Sequence, residues 1–233
     1  VTKTKFQARA TKGGAVVDVS FKTPVQTTGA GSGNLYGFGL LSPAQTVSYI
    51  INFAESYQFF KVTKVHIRWV PTVGATSGGY VYAACVSNPE MMLKLYNGVY
   101  NTVNDWPDLV NSLKVSSNTP LYQPLDMSIP SSELVRRKWY STESSTLFTA
   151  EQMDRAVPAA FMWTIYGPAN TTLGYFRVTL GVEFRDFTAV TSSPMLLSTP
   201  VDFQGADGSW WRRENGIVYS IPPPSDPTPS ASA

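Results

Sequence analysis

Residues 57–85 read YQFFKVTKVHIRWVPTVGATSGGYVYAAC, and this stretch decides the fold. Between positions 64 and 69, Val65, Ile67 and Trp69 alternate with Lys64, His66 and Arg68. A period of two puts the apolar side chains on one face and the basic ones on the other, the pattern of a strand half-buried against a core. Pro71 ends the run, and the Gly-, Ser- and Thr-rich residues 72–79 form a hinge. Residues 80–85, YVYAAC, are apolar on both faces, as expected of a strand covered from both sides. The aromatic residues 55–60, ahead of the basic strand, read as a short turn.

Working outward, the same period recurs. Val17, Val19 and Phe21 alternate with Val16, Asp18 and Ser20. Residues 34–41, NLYGFGLL, form a strand in which Gly37 and Gly39 imply close approach of another chain or a sharp bend. Residues 121–129 form another, with Pro124 marking an edge or a bulge, and residues 159–166 place Phe161, Trp163 and Ile165 on one face. The cleanest alternation is residues 175–187, with Phe176, Val178, Leu180, Val182 and Phe184 inward. Tyr175, Arg177, Thr179, Gly181, Glu183 and Arg185 then face outward. Residues 89–98 and 105–114 are the helix candidates, and residues 42–53 are partly helical. In residues 105–114, Trp106, Leu109, Val110 and Leu113 have helical spacing, with Pro107 in the first turn and Asp105 as cap. About eight strands with two short helices in loops predict an all-β, antiparallel double sheet. No G-x-G-x-x-G or P-loop pattern sits where a strand meets a helix, which excludes a nucleotide-binding α/β fold.

The order of these textures resembles a known family. An aromatic turn, a basic strand ending in Trp69-Val70-Pro71, a Thr-Ser-Gly-Gly turn and an apolar strand ending in Ser87-Asn88-Pro89 are similar to the shell domain of small icosahedral viruses. These are the tombusvirus and sobemovirus type and the related capsids of circular single-stranded DNA viruses. Residues 130–142, PSSELVRRKWYST, and the Gly-Tyr-Phe-Arg-Val start at residue 174 are similar to the same family. The resemblance implies an eight-stranded antiparallel jelly roll, with residues 175–187 as its last strand. It divides the chain into a basic N-terminal arm (1–14), a shell domain (15–191) and an irregular C-terminal segment with a Pro-rich tail (192–233). It implies a non-enzymatic coat protein of the virion, assembled in the host cytoplasm or nucleus into an icosahedral, T=3-like shell around a single-stranded genome.

Composition agrees with such a role. The chain has 233 residues, of which 43% are hydrophobic and only 15% charged, against about a quarter charged in an ordinary globular protein. Burial of the flanks against copies of itself accounts for that poverty of charge. The net charge is +2, but Lys3, Lys5, Arg9 and Lys12 all precede the first acid, Asp18. This strip is expected to face the phosphates of the genome, whose attraction is independent of sequence. Val1 stands where an initiating Met would be, so the strip reads as the end of a longer arm. The single Cys85 excludes an intramolecular disulfide and a thiolate metal site. No apolar run approaches the roughly 20 residues of a membrane span, so no membrane partner is expected.

Enzyme chemistry finds little to work with. The one histidine, His66, lies mid-strand between two cations, without a Gly-x-Ser-x-Gly elbow. The remaining carboxylates of interest, Asp105, Asp108, Asp126, Glu133, Asp154 and Asp186, lie on a helix or near strand ends. The resemblance implies Ca²⁺ between subunits, held after the fifth strand. Here that place reads Ser87-Asn88-Pro89-Glu90 without paired aspartates, leaving Asn88 and Glu90 as the candidate ligands. Lys64, His66, Arg68, Arg177, Glu183 and Arg185 form a candidate inter-subunit or genome-facing sheet surface, in which Glu183 would offset Arg68 or Lys64. Trp210, Trp211, Arg212 and Arg213 read as a C-terminal anchor in a neighbouring subunit, with packing in their own chain as the alternative. A rival of a different class, a carbohydrate-binding jelly roll, rests on twelve Tyr and six Trp able to stack on sugars.

Overall fold

The computed structural model describes residues 5–26, 34–43, 48–97, 105–134, 136–142, 148–187, 201–204, 210–214 and 217–221. The alternation around Ile67 belongs to a long strand, β4 (Tyr57–Pro71). It lies between β10 (Thr172–Phe187) and β7 (Leu125–Ile129), which is the edge strand that Pro124 announced. Beyond β10 follow β2 (Gly14–Gln26) and β1 (Lys5–Thr11), while the two-residue β8 (Tyr140–Ser141) pairs with β4. A second sheet runs β3 (Asn34–Leu40), β9 (Ala160–Tyr166), β5 (Tyr80–Val86), β6 (Val115–Pro120). It is extended past β3 by β13 (Ile217–Ile221), β12 (Trp210–Glu214) and β11 (Val201–Gln204).

The chain passes from β2 to β3 in the other sheet, back to β4, over to β5 and β6, back to β7, over to β9 and back to β10. Eight antiparallel strands interleaved between two four-stranded sheets make a double-sheet jelly roll, as expected. The described residues hold five further strands: β1, β8, β11, β12 and β13.

Val19, Val65, Ile67, Val81, Phe176 and Leu180 meet between the sheets. Trp69 is fully buried there, and its indole N–H donates to the Leu121 carbonyl at 3.0 Å, so the polar end of this large side chain is satisfied. A second core covers the far face of the β3–β9–β5 sheet. It is built by α2 (Pro89–Tyr96), α3 (Asp105–Ser112) and α5 (Ala150–Ala156), with Met92, Trp106 and Met153 packed on Phe38, Ala84 and Met162. This double cover is why residues 80–85 and 160–165 are apolar on both faces. Where two helices were expected, the described residues hold five, counting the short α1 (Ser48–Ala54) and α4 (Ser131–Leu134). The covering helices pack on a sheet face.

Three further expectations change. Residues 57–60 are strand, not turn. The register of β4 against β10 slips at Thr63, with Gly181 opposite Lys64 but Val182 opposite Val62. One extra residue makes a β-bulge, and the buried positions shift from Phe60 and Val62 to Val65, Ile67 and Trp69. Residues 5–11, expected as an extended arm, form β1 and pair with β2. The segment after residue 191, expected to be irregular, contributes β11–β13. Lys3 and the Pro-rich residues 222–233 lie outside the described residues. Gly37 is approached by its own chain: a Cβ there would lie 2.3 Å from the Trp163 ring. Among the described residues no helix is long and apolar enough to cross a membrane.

Candidate nucleic-acid interface

The inward residues of β10 are buried as the alternation predicts, so Arg177, Thr179, Gly181 and Glu183 mark its outer face. Pairing carries that face across the sheet. Arg177 stands opposite Lys22 on β2 and Arg68 on β4, and Thr179 opposite Ser20 and His66. Gly181 stands opposite Asp18 and Lys64, and Glu183 opposite Val16 and Lys61. On the flanks, β7 places Asp126 against Arg68 and Ser128 against His66, while β1 places Arg9 against Val16.

All six residues nominated from the sequence, Lys64, His66, Arg68, Arg177, Glu183 and Arg185, thus share one surface. They are joined by Arg9, nominated from the sequence as part of the N-terminal basic strip, and by Lys22 and Lys61, which sequence reading missed. Seven cations (Arg9, Lys22, Lys61, Lys64, Arg68, Arg177, Arg185) face three carboxylates (Asp18, Asp126, Glu183). The whole chain has 18 basic and 16 acidic residues, a net charge of +2, while this face alone carries +4. Among the described residues the excess of positive charge lies on this side of the molecule.

Within the face, Asp126 is the anion that matters. It lies 3.1 Å from His66 Nε2 and 3.8 Å from Arg68 Nε, and Ser128 Oγ meets His66 Nδ1 at 3.1 Å. The expected partner of Arg68 and Lys64, Glu183, is instead opposite Lys61, because the bulge at Thr63 moves the register. Lys22 sits 4.4 Å over the Tyr175 ring, a cation–π contact. Arg185 lies 3.3 Å from Asp186 and 5.6 Å from the Trp139 ring. Among the described residues Arg177 forms no ion pair, although it has a cation on either side.

Of the other nominated residues, Lys5 lies in β1 opposite Ser20, in register with this face, its side chain lying outside the described residues, and Lys12 is exposed in the turn that Gly13 makes at φ 83°. Asn88 caps α2, accepting from the Met91 N–H at 3.0 Å, and Glu90 pairs with Lys94 one turn on at 3.1 Å. A calcium ion needs six to eight oxygens. Among the described residues no three of His, Cys, Asp or Glu come together. Trp211 is fully buried in the second core of its own chain, stacked on Trp106 at 5.8 Å, which corrects its role as an anchor in a neighbour. Arg212 makes a two-pronged pair with Asp202 at 2.7 and 2.9 Å. The Arg213 and Asp105 side chains lie outside the described residues.

The carboxylates near strand ends each meet a cation. Glu133 accepts from Lys114 and Ser87, both at 2.9 Å, and these contacts hold it below the usual carboxylate range. Burial works against ionisation of Asp154, but hydrogen bonds and charge from Arg137 and Arg136 outweigh it and hold this group low as well. Burial, then the Glu133 charge, pushes the Cys85 thiol up to about 12.

No protein-family model matches the sequence, and no curated protein matches it. Solved structures do match. Tobacco necrosis virus aligns with TM-score 0.62 at 15% identity, over 81% of this chain and 89% of that one. The nodavirus particle of the giant freshwater prawn Macrobrachium rosenbergii aligns with TM-score 0.58 at 12% identity, over 82% and 92%. The fold is the viral capsid jelly roll. Melon necrotic spot virus aligns with TM-score 0.60 at 14% identity over 82% of this chain, which spans 55% of that longer one. Within a capsid jelly roll, the basic face is the outer surface of the β1–β2–β10–β4–β7 sheet, and the helices cover the opposite side of the molecule.

Proposed function

We propose that this chain is a coat-protein subunit, without enzymatic activity, that assembles with copies of itself into a closed icosahedral shell around a single-stranded genome. The shared fold supports the shell, and the charge poverty of the chain supports flanks covered by neighbours. The observation that carries the reading is the basic face, seven cations against three carboxylates on one sheet of a chain whose whole net charge is only +2. That face turns toward the genome and holds its phosphates electrostatically, while the helical side faces away. The protein is then a virion component whose partners are itself and nucleic acid of any sequence.

Electron microscopy of the purified chain, with the nucleic-acid content of the material measured alongside, tests this. Uniform closed particles that retain nucleic acid and lose it as salt rises are expected. A monomer indifferent to nucleic acid at low salt overturns the reading. A monomer that binds glycans instead returns the lectin alternative.

A further inference from the structure

β1 closes the first sheet, and among the described residues no strand pairs with its outer edge. Natural sheets guard such edges with charged side chains, proline, bulges or very short strands. Of these β1 has only the charged residues Lys5 and Arg9: it holds no proline and pairs β2 through seven consecutive positions without a register shift. Its core-side face is exposed too. Phe6, Ala8 and Ala10 lie on that side, opposite the buried Val19, Val17 and Ala15, yet all three are exposed. Phe6 keeps 39% of its surface accessible and meets the Phe53 ring edge-on at 5.7 Å.

We propose that β1 is a self-pairing edge: the β1 strands of two copies join antiparallel about a two-fold axis at Ala8, fusing two subunits into one continuous sheet. Charge and side-chain parity select this register. Directly opposed residues point to the same face, so the axis must pass through a residue, or one copy's basic face would continue as the other's apolar face. An axis at Gln7 sets Lys5 against Arg9, and an axis at Arg9 sets two Arg9 side chains together. An axis at Ala8 pairs all seven positions of β1: Arg9 with Gln7, Phe6 with Ala10, Lys5 with Thr11. No like charges oppose, and the exposed apolar residues continue into one strip. The two basic faces also merge into one surface, so the pairing extends the proposed genome contact without depending on it.

Cysteine cross-linking of the full chain tests the register. In Ala8→Cys the two thiols meet at the axis, with Cα atoms about 4.5–5.5 Å apart, inside disulfide range. In Ala10→Cys they are four positions apart, roughly 14 Å, out of range. The native Cys85 is buried. Without reductant, most A8C chain is expected to run as a disulfide dimer and A10C to remain monomeric. Adding Gln7→Arg to A8C sets like charges across the axis and is expected to lower the dimer yield several-fold at low salt. Folded A8C that stays uncross-linked, A10C that cross-links equally well, or an A8C yield indifferent to Q7R overturns the proposal. Particles that form without the A8C bond overturn this pairing and leave the shell standing; A8C dimers that never close into particles do the reverse.

Discussion

Arg177 on β10 and Arg68 on β4 stand directly opposite one another in the sheet, and Lys22 on β2 lies on the far side of Arg177. Three like charges in a row across neighbouring strands oppose folding, by roughly 0.2–1 kcal/mol per opposed pair. Among the described residues only Asp126, at 3.8 Å from Arg68, offsets the row directly. Such a row is useful to a protein that meets a polyanion. Arg177→Gln is expected to leave the unassembled chain equally or slightly more stable toward urea, with the gain fading at high salt. The same substitution should weaken binding to single strands of every sequence and reduce the salt slope by about 0.7. Fluorescence anisotropy with a labelled oligonucleotide over a salt series measures this. An unchanged slope would remove Arg177 from the interface.

Asp126 predicts the converse. It pairs with Arg68 and contacts His66 Nε2 from the edge strand. Asp126→Asn frees both for phosphate, so nucleic-acid affinity at low salt should rise, the reverse of the Arg177→Gln effect. A loss of affinity on D126N would mean that Asp126 positions the cations instead of competing for them.

Glu133 and Asp154 are expected to contribute to the acid limit of the fold. Each is held below its ordinary value, 4.5 for Glu133 and 3.8 for Asp154. Carboxylates with depressed folded values contribute stability that is complete above the ordinary values and lost as pH falls through the folded ones. Urea midpoints should therefore be flat from neutral pH down to the carboxylate range and fall below it. Glu133→Gln should lower the neutral midpoint, by releasing Lys114 and Ser87, and flatten the acid limb. A parallel limb in the variant would assign the acid sensitivity elsewhere.

The sequence showed the sheets better than their edges. β10 was legible because its five inward positions never break phase, and β5 and β9 because helices cover what would otherwise be a polar face. β4 was only half legible: the extra residue at Thr63 inverts its alternation, so Phe59 and Phe60 looked like a turn. β6, VSSNTP, lacks an apolar period because it is an edge strand with one buried side chain, Thr119. The candidate site was legible as two strands, since Arg68 and Arg177 sit in clean alternations. Its extent was not. Lys22, Lys61 and Asp126 reach the same surface through pairings between residues far apart in the chain, which no local pattern records.

Trp211 gives the last prediction. In the sequence it stood in an unpatterned tail; in the fold it is fully buried and stacked on Trp106, on the side chain that ties β12 into the second core. Its neighbour Arg212 meets Asp202 at the surface. Removing a buried tryptophan leaves a cavity and costs about 3–5 kcal/mol, whereas an exposed ion pair contributes little. Trp211→Ala should therefore lower the urea midpoint sharply and speed protease cleavage within β11–β13, while β2–β10 stays protected. Arg212→Ala should do neither. Limited proteolysis with mass mapping separates the two, and a Trp211→Ala chain as resistant as the parent would show that the tail is held by something other than this ring.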